Sequence, residues 1–173
     1  KIRFEGDGYG EAWEIEAEKR GLSNNKTTPN ALKAKVSKKS IKLFEDLNIM
    51  SKVESELRYE IEVEEYALRI QIESRLLGDI ARNHLIPTDV KYQNRLIENV
   101  VGLKEIFGKD FKKMAKEQMT LIEKISEHIE YINKGITEMT DARKKANNTG
   151  DAEATAAAYC DEVKPFFDQI RYQ

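Results

Sequence analysis

The chain has 173 residues, enough for one domain with a hydrophobic core, and its 29 basic and 31 acidic side chains leave a net charge of −2. This balance gives no reason to expect a nucleic acid or a membrane surface as a partner. Charged residues make up 35% of the chain, whereas it has only 9 glycines and 3 prolines, a composition typical of long helices in contact with solvent.

The cysteine content and the hydropathy of the chain indicate the cellular compartment in which the protein is expected. Cys160 is the single cysteine and cannot form an intramolecular disulfide, so an oxidising compartment is not implied. No signal peptide is present, and no apolar run approaches the ~18 residues that a membrane span needs. We therefore expect a soluble cytoplasmic protein. The lack of a methionine at Lys1 and the apolar-periodic pattern that runs into Gln173 indicate a fragment of a longer protein; the alternative is a trimmed tag and a disordered tail.

The first 27 residues differ from the rest and are expected to form an irregular connector with one short helix. Three glycines among residues 6–10 favour a turn or irregular segment, and a helix is predicted for residues 11–20, ended by Gly21. Residues 28–173 are predicted to form a helical bundle. There, Thr28 and Pro29 indicate the start of a helix, and residues 40–47 support another short one.

A long helix is predicted for residues 52–85. Ser51 and Glu54 form a capping-box sequence at its start, and Pro87 is expected to end it. Its glutamates and the lack of turn residues argue against a strand. Two adjacent apolar rows predict one broad buried stripe. The first row is Leu57, Ile61, Leu68, Ile72, Leu76 and Ile80, and the second is Tyr59, Val63, Tyr66, Ile70, Leu77 and Ala81.

Three further helices are predicted. The first begins at Thr88 and stops at Gly108; the second begins near Lys109; the third is capped by Asp151 and is kinked or restarted at Pro165. The second carries a coiled-coil-like seam with alternating steps of four and three. Its members are Phe111, Ala115, Gln118, Ile122, Ile125, Ile129, Ile132, Ile136 and Met139. The expected fold is all-α: an elongated antiparallel bundle of long helices, with the short N-terminal helices packed at one end.

No catalytic, cofactor-binding or metal-binding residue is predicted. Di-iron bundles place a glutamate three residues before a histidine, but Ala81 precedes His84 and Ile125 precedes His128 at that spacing. The glycines near the N-terminus lack a following Gly-Lys-Ser/Thr sequence, and no Ser/His/Asp or Cys/His set can be assembled. The lysines of residues 33–42 lack the interleaved aromatic residues of a nucleic-acid surface.

One segment, residues 78–88 followed by 92–94, is denser in polar groups than a bundle requires. It falls at the predicted turn between two helices, where polar side chains can cap free carbonyl and amide groups. One interpretation is a hydrogen-bonded corner; another is a docking surface for a further domain or subunit. The candidate docking residues are Asp79, Arg82, Asn83, His84, Pro87, Tyr92, Gln93 and Asn94.

Several stretches of the chain resemble type III glutamine synthetase, in the region after its catalytic domain. The similar stretches are residues 4–9, 18–24, 26–29, 59–62, 69–73, 78–84, 92–94, 159–160 and 163–165. The Arg-Asn-His-x-Ile-Pro sequence of residues 82–87 is the most specific of these features. The likeness covers nearly the whole chain, with residues 1–10 as the exit from the catalytic domain.

The resemblance implies a parent enzyme of glutamine biosynthesis. That enzyme would join ammonia to glutamate through a γ-glutamyl phosphate, using ATP and Mg or Mn, in a double-ring homo-oligomer of bacterial cytoplasm. The resemblance places the metal, nucleotide and glutamate ligands on the upstream catalytic domain, so no catalytic residue is carried over. We expect this chain to brace that domain or support assembly. The alternatives are a free-standing helical interaction module and a regulatory arm that senses a small molecule at residues 82–87.

Overall fold

The computed structural model describes residues 4–172. Every element of secondary structure in this range is a helix, which confirms the all-α prediction. The contacts divide the chain into two compact units, Lys1–Val63 and Glu64–Gln173. The boundary expected between residues 27 and 28 stays a prediction.

The first unit contains three short helices, α1 (Glu11–Lys19), α2 (Thr28–Lys33) and α3 (Lys38–Asp46). Helix α1 ends at the predicted place, and Gly21 takes the left-handed conformation there with φ +69°. Helix α2 begins one residue earlier than predicted, because Thr27 rather than Thr28 occupies the N-cap position. Helix α3 also begins before its predicted start, because Ser37 accepts a 3.2 Å hydrogen bond from the backbone N–H of Ser40.

Helix α4 (Lys52–Ile80) begins with the predicted capping box. The Glu54 carboxylate accepts a 2.7 Å hydrogen bond from the Ser51 backbone N–H, and the Ser51 hydroxyl accepts one of 3.3 Å from the Glu54 N–H. These bonds from the backbone and hydroxyl of Ser51 lower the pKa of the Glu54 carboxyl, with a smaller contribution from Arg58. The start of α4 is therefore set by two polar residues three positions apart.

The predicted turn before Pro87 is wrong, because the chain stays helical through it. Helix α4 passes through a π-helical segment, Ala81–Leu85, directly into α5 (Ile86–Phe107). In this wider turn the Ile86 N–H donates to the carbonyl of Ala81, five residues back. Pro87 then lies in the first turn of α5, where its missing N–H costs little, and the Thr88 hydroxyl bonds the His84 carbonyl at 2.7 Å.

Pro165 is accommodated in the same way. Helix α8 (Ala152–Ala158) continues through a second π-helical segment, Tyr159–Val163, and α9 (Pro165–Arg171) follows. The Lys164 N–H donates to the Tyr159 carbonyl five residues back, at 3.0 Å. The helix thus resumes at Pro165. The predicted cap also holds, since Asp151 accepts a 2.8 Å bond from the Ala154 N–H.

Between α5 and the next long helix the chain reverses direction. Gly108 takes φ +55°, and a short helix α6 (Phe111–Met114) precedes α7 (Lys116–Ala146). The predicted start of the long helix at residue 109 is therefore too early, because the backbone at Ala115 departs from helical geometry. The residues of the predicted seam nevertheless face the core. Ile132, Ile136 and Met139 are buried, and the other members are buried or half-buried.

Within Glu64–Gln173, the helices pack antiparallel around this seam. Helix α7 runs back along α5 and along the second half of α4; the Gln93 side chain on α5 donates to the Ile122 carbonyl on α7 at 2.9 Å. The C-terminal segment of residues 152–171 then folds back onto α7. A Cβ built on Gly135 would lie 3.0 Å from Ile170, so this glycine allows α9 to approach α7 closely.

The broad buried stripe predicted for α4 is only half correct. Of its second row, Val63, Ile70 and Ala81 are buried, with exposed fractions of 6% or less. All six residues of the first row are instead exposed, at 39 to 62%. The row lies on the solvent side of α4 because the buried side already carries the apolar contacts of the second row.

Candidate functional site

The eight candidate docking residues lie on consecutive turns of one continuous helix rather than at a corner. Near the π-helical segment, the Asn83 side chain donates a 2.7 Å hydrogen bond to the Asp79 carboxylate, four residues back. Arg82 reaches across to α7, where its Nη2 donates to the Thr137 hydroxyl at 3.2 Å. The His84 side chain is exposed. This part of the segment therefore combines local bonds with one contact to α7.

The remaining candidates divide between α7 and solvent. The Gln93 amide donates both to the Ile122 carbonyl and, at 2.7 Å, to the Ser126 hydroxyl, so it fixes α5 against α7. Pro87, Tyr92 and Asn94 are exposed, Tyr92 at 50%. The structure thus does not gather the eight residues into one cluster; docking by them stays a prediction.

A polar cavity lies between α4 and α7 beside Arg82. Its volume is about 370 Å³, and three arginines line it: Arg75 and Arg82 from the α4 side, and Arg143 from α7. Arg75 and Arg143 are not among the candidate residues predicted from the sequence. The spacing of seven residues places Arg75 on the same face as Arg82, but Arg143 is remote in sequence and joins them only because α7 runs back along α4. We call this site the arginine cleft.

A row of apolar side chains on α4 is unpartnered within the second unit. Leu68, Ile72, Leu76 and Ile80 follow one another at intervals of four residues, and 39 to 56% of each is exposed. Four large apolar residues in one line on a helix form a contiguous patch rather than scattered exposure. We call these four residues the α4 apolar row.

The Tyr66 hydroxyl is a buried polar group of the same unit. It makes no hydrogen bond of acceptable geometry within the described residues, although the Cys160 thiol lies beside it. Burial raises the pKa of Tyr66 well above its usual value, and the neighbouring thiol raises it further. A buried hydroxyl without a hydrogen bond is a cost to the stability of the fold.

Within residues 4–172, no group of three or more histidine, cysteine, aspartate or glutamate side chains lies close enough together to hold a metal ion. Within the same residues, no helix combines the length and the apolar character required to cross a bilayer.

The sequence of this chain matches a known family and known proteins. The family model described as the glutamine synthetase C-terminal domain matches residues 1–104. The chain belongs to this family. The resemblance to type III glutamine synthetase predicted from the sequence is thereby confirmed, since proteins of that name also match along the chain.

Three glutamine synthetases illustrate how this C-terminal domain relates to longer chains. This chain is 42% identical over 171 residues to the glutamine synthetase of Bacteroides fragilis (strain YCH46) and 31% identical over 171 residues to the glutamine synthetase of Butyrivibrio fibrisolvens. These alignments cover 98% and 99% of this chain but 24% of each relative. The type-3 glutamine synthetase of Dictyostelium discoideum is 41% identical over 100 residues, 58% of this chain and 14% of that protein. The chain thus spans about a quarter of the length of the first two.

Proposed function

We propose that this chain is the non-catalytic C-terminal region of a type III glutamine synthetase and that it braces the catalytic region and supports assembly of the homo-oligomer. The parent reaction would be the ATP-dependent ligation of ammonia to glutamate in the cytoplasm, with Mg or Mn. The residues for that reaction would lie in the three quarters of the relatives that this chain does not match.

The α4 apolar row is the observation that carries this proposal. Complete burial of one leucine or isoleucine stabilises by about 1.5–3 kcal/mol, and these side chains are roughly half exposed. Covering all four would therefore contribute on the order of 3–6 kcal/mol before the entropic cost of ordering the interface. That is enough to hold two parts of one polypeptide together, because a covalent link supplies a high effective concentration.

The occupant that we favour for the row is the catalytic region of the same enzyme. Relatives that match nearly all of this chain are about four times longer, so a large partner surface comes with this domain in every one of those polypeptides. The row is flanked by charged side chains, including the Arg69–Glu65 ion pair, which is the arrangement of an apolar contact with a polar rim.

The test uses full-length enzyme with Ile72→Asp and Leu76→Asp. Both positions are already exposed, so the isolated domain should keep its helicity and melting temperature. The full-length enzyme should lose its large assembly and most of its synthetase activity, measured by light scattering after size-exclusion chromatography and by glutamine formation. The matched control is Ile106→Asp, since Ile106 is 75% exposed on α5, outside the row. A double variant with normal mass and activity would overturn the proposal.

A further inference from the structure

We propose that the arginine cleft binds a small dianionic oxyanion, with Arg75, Arg82 and Arg143 as its ligands. Arg75 and Arg82 lie two turns apart on one face of the α4 side, and Arg143 approaches from α7 on the opposite wall. Guanidinium groups offer planar forks of N–H donors that match the oxygens of phosphate and carboxylate groups. The three arginines therefore line one space with donors of the kind that oxyanions bind.

The charge in the cleft is not balanced by the protein. Within the described part of the chain, none of the three arginines forms an ion pair, and Asp79 is the one carboxylate among the lining residues. The Asp79 carboxylate accepts its hydrogen bond from Asn83 instead. Three cationic groups against one anionic group leave an excess that a dianion would neutralise. Concentrating like charges in a partly enclosed space is unfavourable without such a counterion.

The Arg143 guanidinium supplies the most specific sign of a missing partner. Its Nη1 atom is buried and has no hydrogen-bond acceptor among residues 4–172. A buried donor left without an acceptor destabilises the fold, and a charged donor does so more strongly. Arg143 also lines the arginine cleft, so an oxyanion bound there would lie beside this guanidinium.

The other polar groups of the cleft leave the arginines as its main free donors. The Ser74 hydroxyl donates to the Gln71 carbonyl, and the Thr140 hydroxyl donates to the Ile136 carbonyl, each at 2.8 Å. Neither hydroxyl hydrogen is available to a ligand. A volume of about 370 Å³ lies within the range of small-molecule sites and exceeds that of a bare phosphate. It accommodates either inorganic phosphate or a small dicarboxylate, which share the oxyanion chemistry.

Binding is tested on this chain by titration with inorganic phosphate and, separately, with succinate, at an ionic strength held constant with sodium chloride. We expect saturable shifts of the side-chain Nε–Hε NMR signals of Arg75, Arg82 and Arg143, and a melting temperature that rises with ligand concentration. Whichever of phosphate and succinate binds with the lower Kd shows whether the natural ligand resembles a phosphate or a dicarboxylate. Arg82→Gln and Arg143→Gln should each weaken binding about tenfold, or ~1.4 kcal/mol.

The matched control is Arg95→Gln, since Arg95 is exposed on α5 away from the cleft. It should bind as the unmodified chain does. If Arg143→Gln loses helicity, Arg75→Gln and Arg82→Gln decide the question, because both side chains are exposed and their loss should leave the fold intact. Equal, non-saturating responses to phosphate, succinate and chloride would overturn the proposal, as would full affinity in Arg82→Gln. Neither outcome bears on assembly of the full-length enzyme.

Discussion

The Tyr159 hydroxyl donates a 2.7 Å hydrogen bond to the Asn147 side-chain oxygen, and this pair joins the C-terminal segment to the end of α7. The Gln71 amide on α4 donates to both groups, at 3.0 Å to the hydroxyl and 3.1 Å to Asn147. Three helical segments are thereby joined by one polar network around a tyrosine that is 1% exposed. The network orients helices that apolar packing alone would leave free to slide.

Tyr159→Phe removes the hydroxyl at the centre of this network. We expect it to lower the free energy of unfolding by about 1–2 kcal/mol, because Gln71 and Asn147 lose a partner in a partly buried site. Urea denaturation followed by circular dichroism measures the change. Tyr172→Phe is the control, since Tyr172 is 79% exposed and should stay within about 0.5 kcal/mol of the unmodified chain. Equal stabilities of the two variants would contradict the role of the network.

Gly135→Val should separate α9 from α7. A Cβ at Gly135 would lie 3.0 Å from Ile170 Cγ1, so the larger valine side chain forces the helices apart, at a cost of about 1–3 kcal/mol. Gly102→Val is the matched control, because a Cβ at Gly102 meets no atom within 4 Å and valine has the better helix propensity. Thermal unfolding of both variants measures the difference.

The same collision predicts coupling between the two positions. In an Ile170→Ala background, Gly135→Val should cost less than it does alone, because the atom that it would meet is gone. Additive effects in the double variant would show that the glycine is needed for another reason.

Tyr66→Phe should leave stability unchanged or raise it, because it removes a buried hydroxyl that makes no hydrogen bond within the described residues. The pH dependence gives the sharper test. Burial raises the pKa of Tyr66 in the folded state, so above about pH 10 the unfolded chain loses this proton first. Stability should therefore fall as the pH rises above that value, and less steeply in Tyr66→Phe. Parallel pH profiles of the two proteins would contradict this assignment.

Ser51→Ala should fray the start of α4 and abolish part of the pH dependence that Glu54 confers. The bonds from Ser51 lower the pKa of Glu54 in the folded state, so their stabilisation is present above about pH 4.5 and is lost as the pH falls through the folded-state pKa. The melting temperatures of the two proteins should differ more at pH 7 than near pH 3, where the remaining difference reflects the lost bond from the Glu54 N–H to the Ser51 hydroxyl. A difference that stays constant over this range would exclude the Glu54 carboxylate as its source.

Helix existence, the caps and the α7 seam follow from local chemistry, which the sequence displays directly. Ser51 and Glu54 need only each other and the backbone between them to start α4. The steps of four and three along α7 likewise place Ile132, Ile136 and Met139 on one face in any straight helix. The family could also be predicted from the sequence, because motifs such as residues 82–87 are recognised from the identities of their residues alone.

Tertiary structure decided three features that no local pattern determines. Both rows of α4 are apolar, and only tertiary packing decided that the buried residues would come from the second row. Pro87 continues the helix because a π-helical turn is available to absorb it, a choice between backbone geometries rather than a property of proline alone. Arg143 joins Arg75 and Arg82 solely because α7 reverses along α4, since long-range proximity arises from packing and not from spacing along the chain.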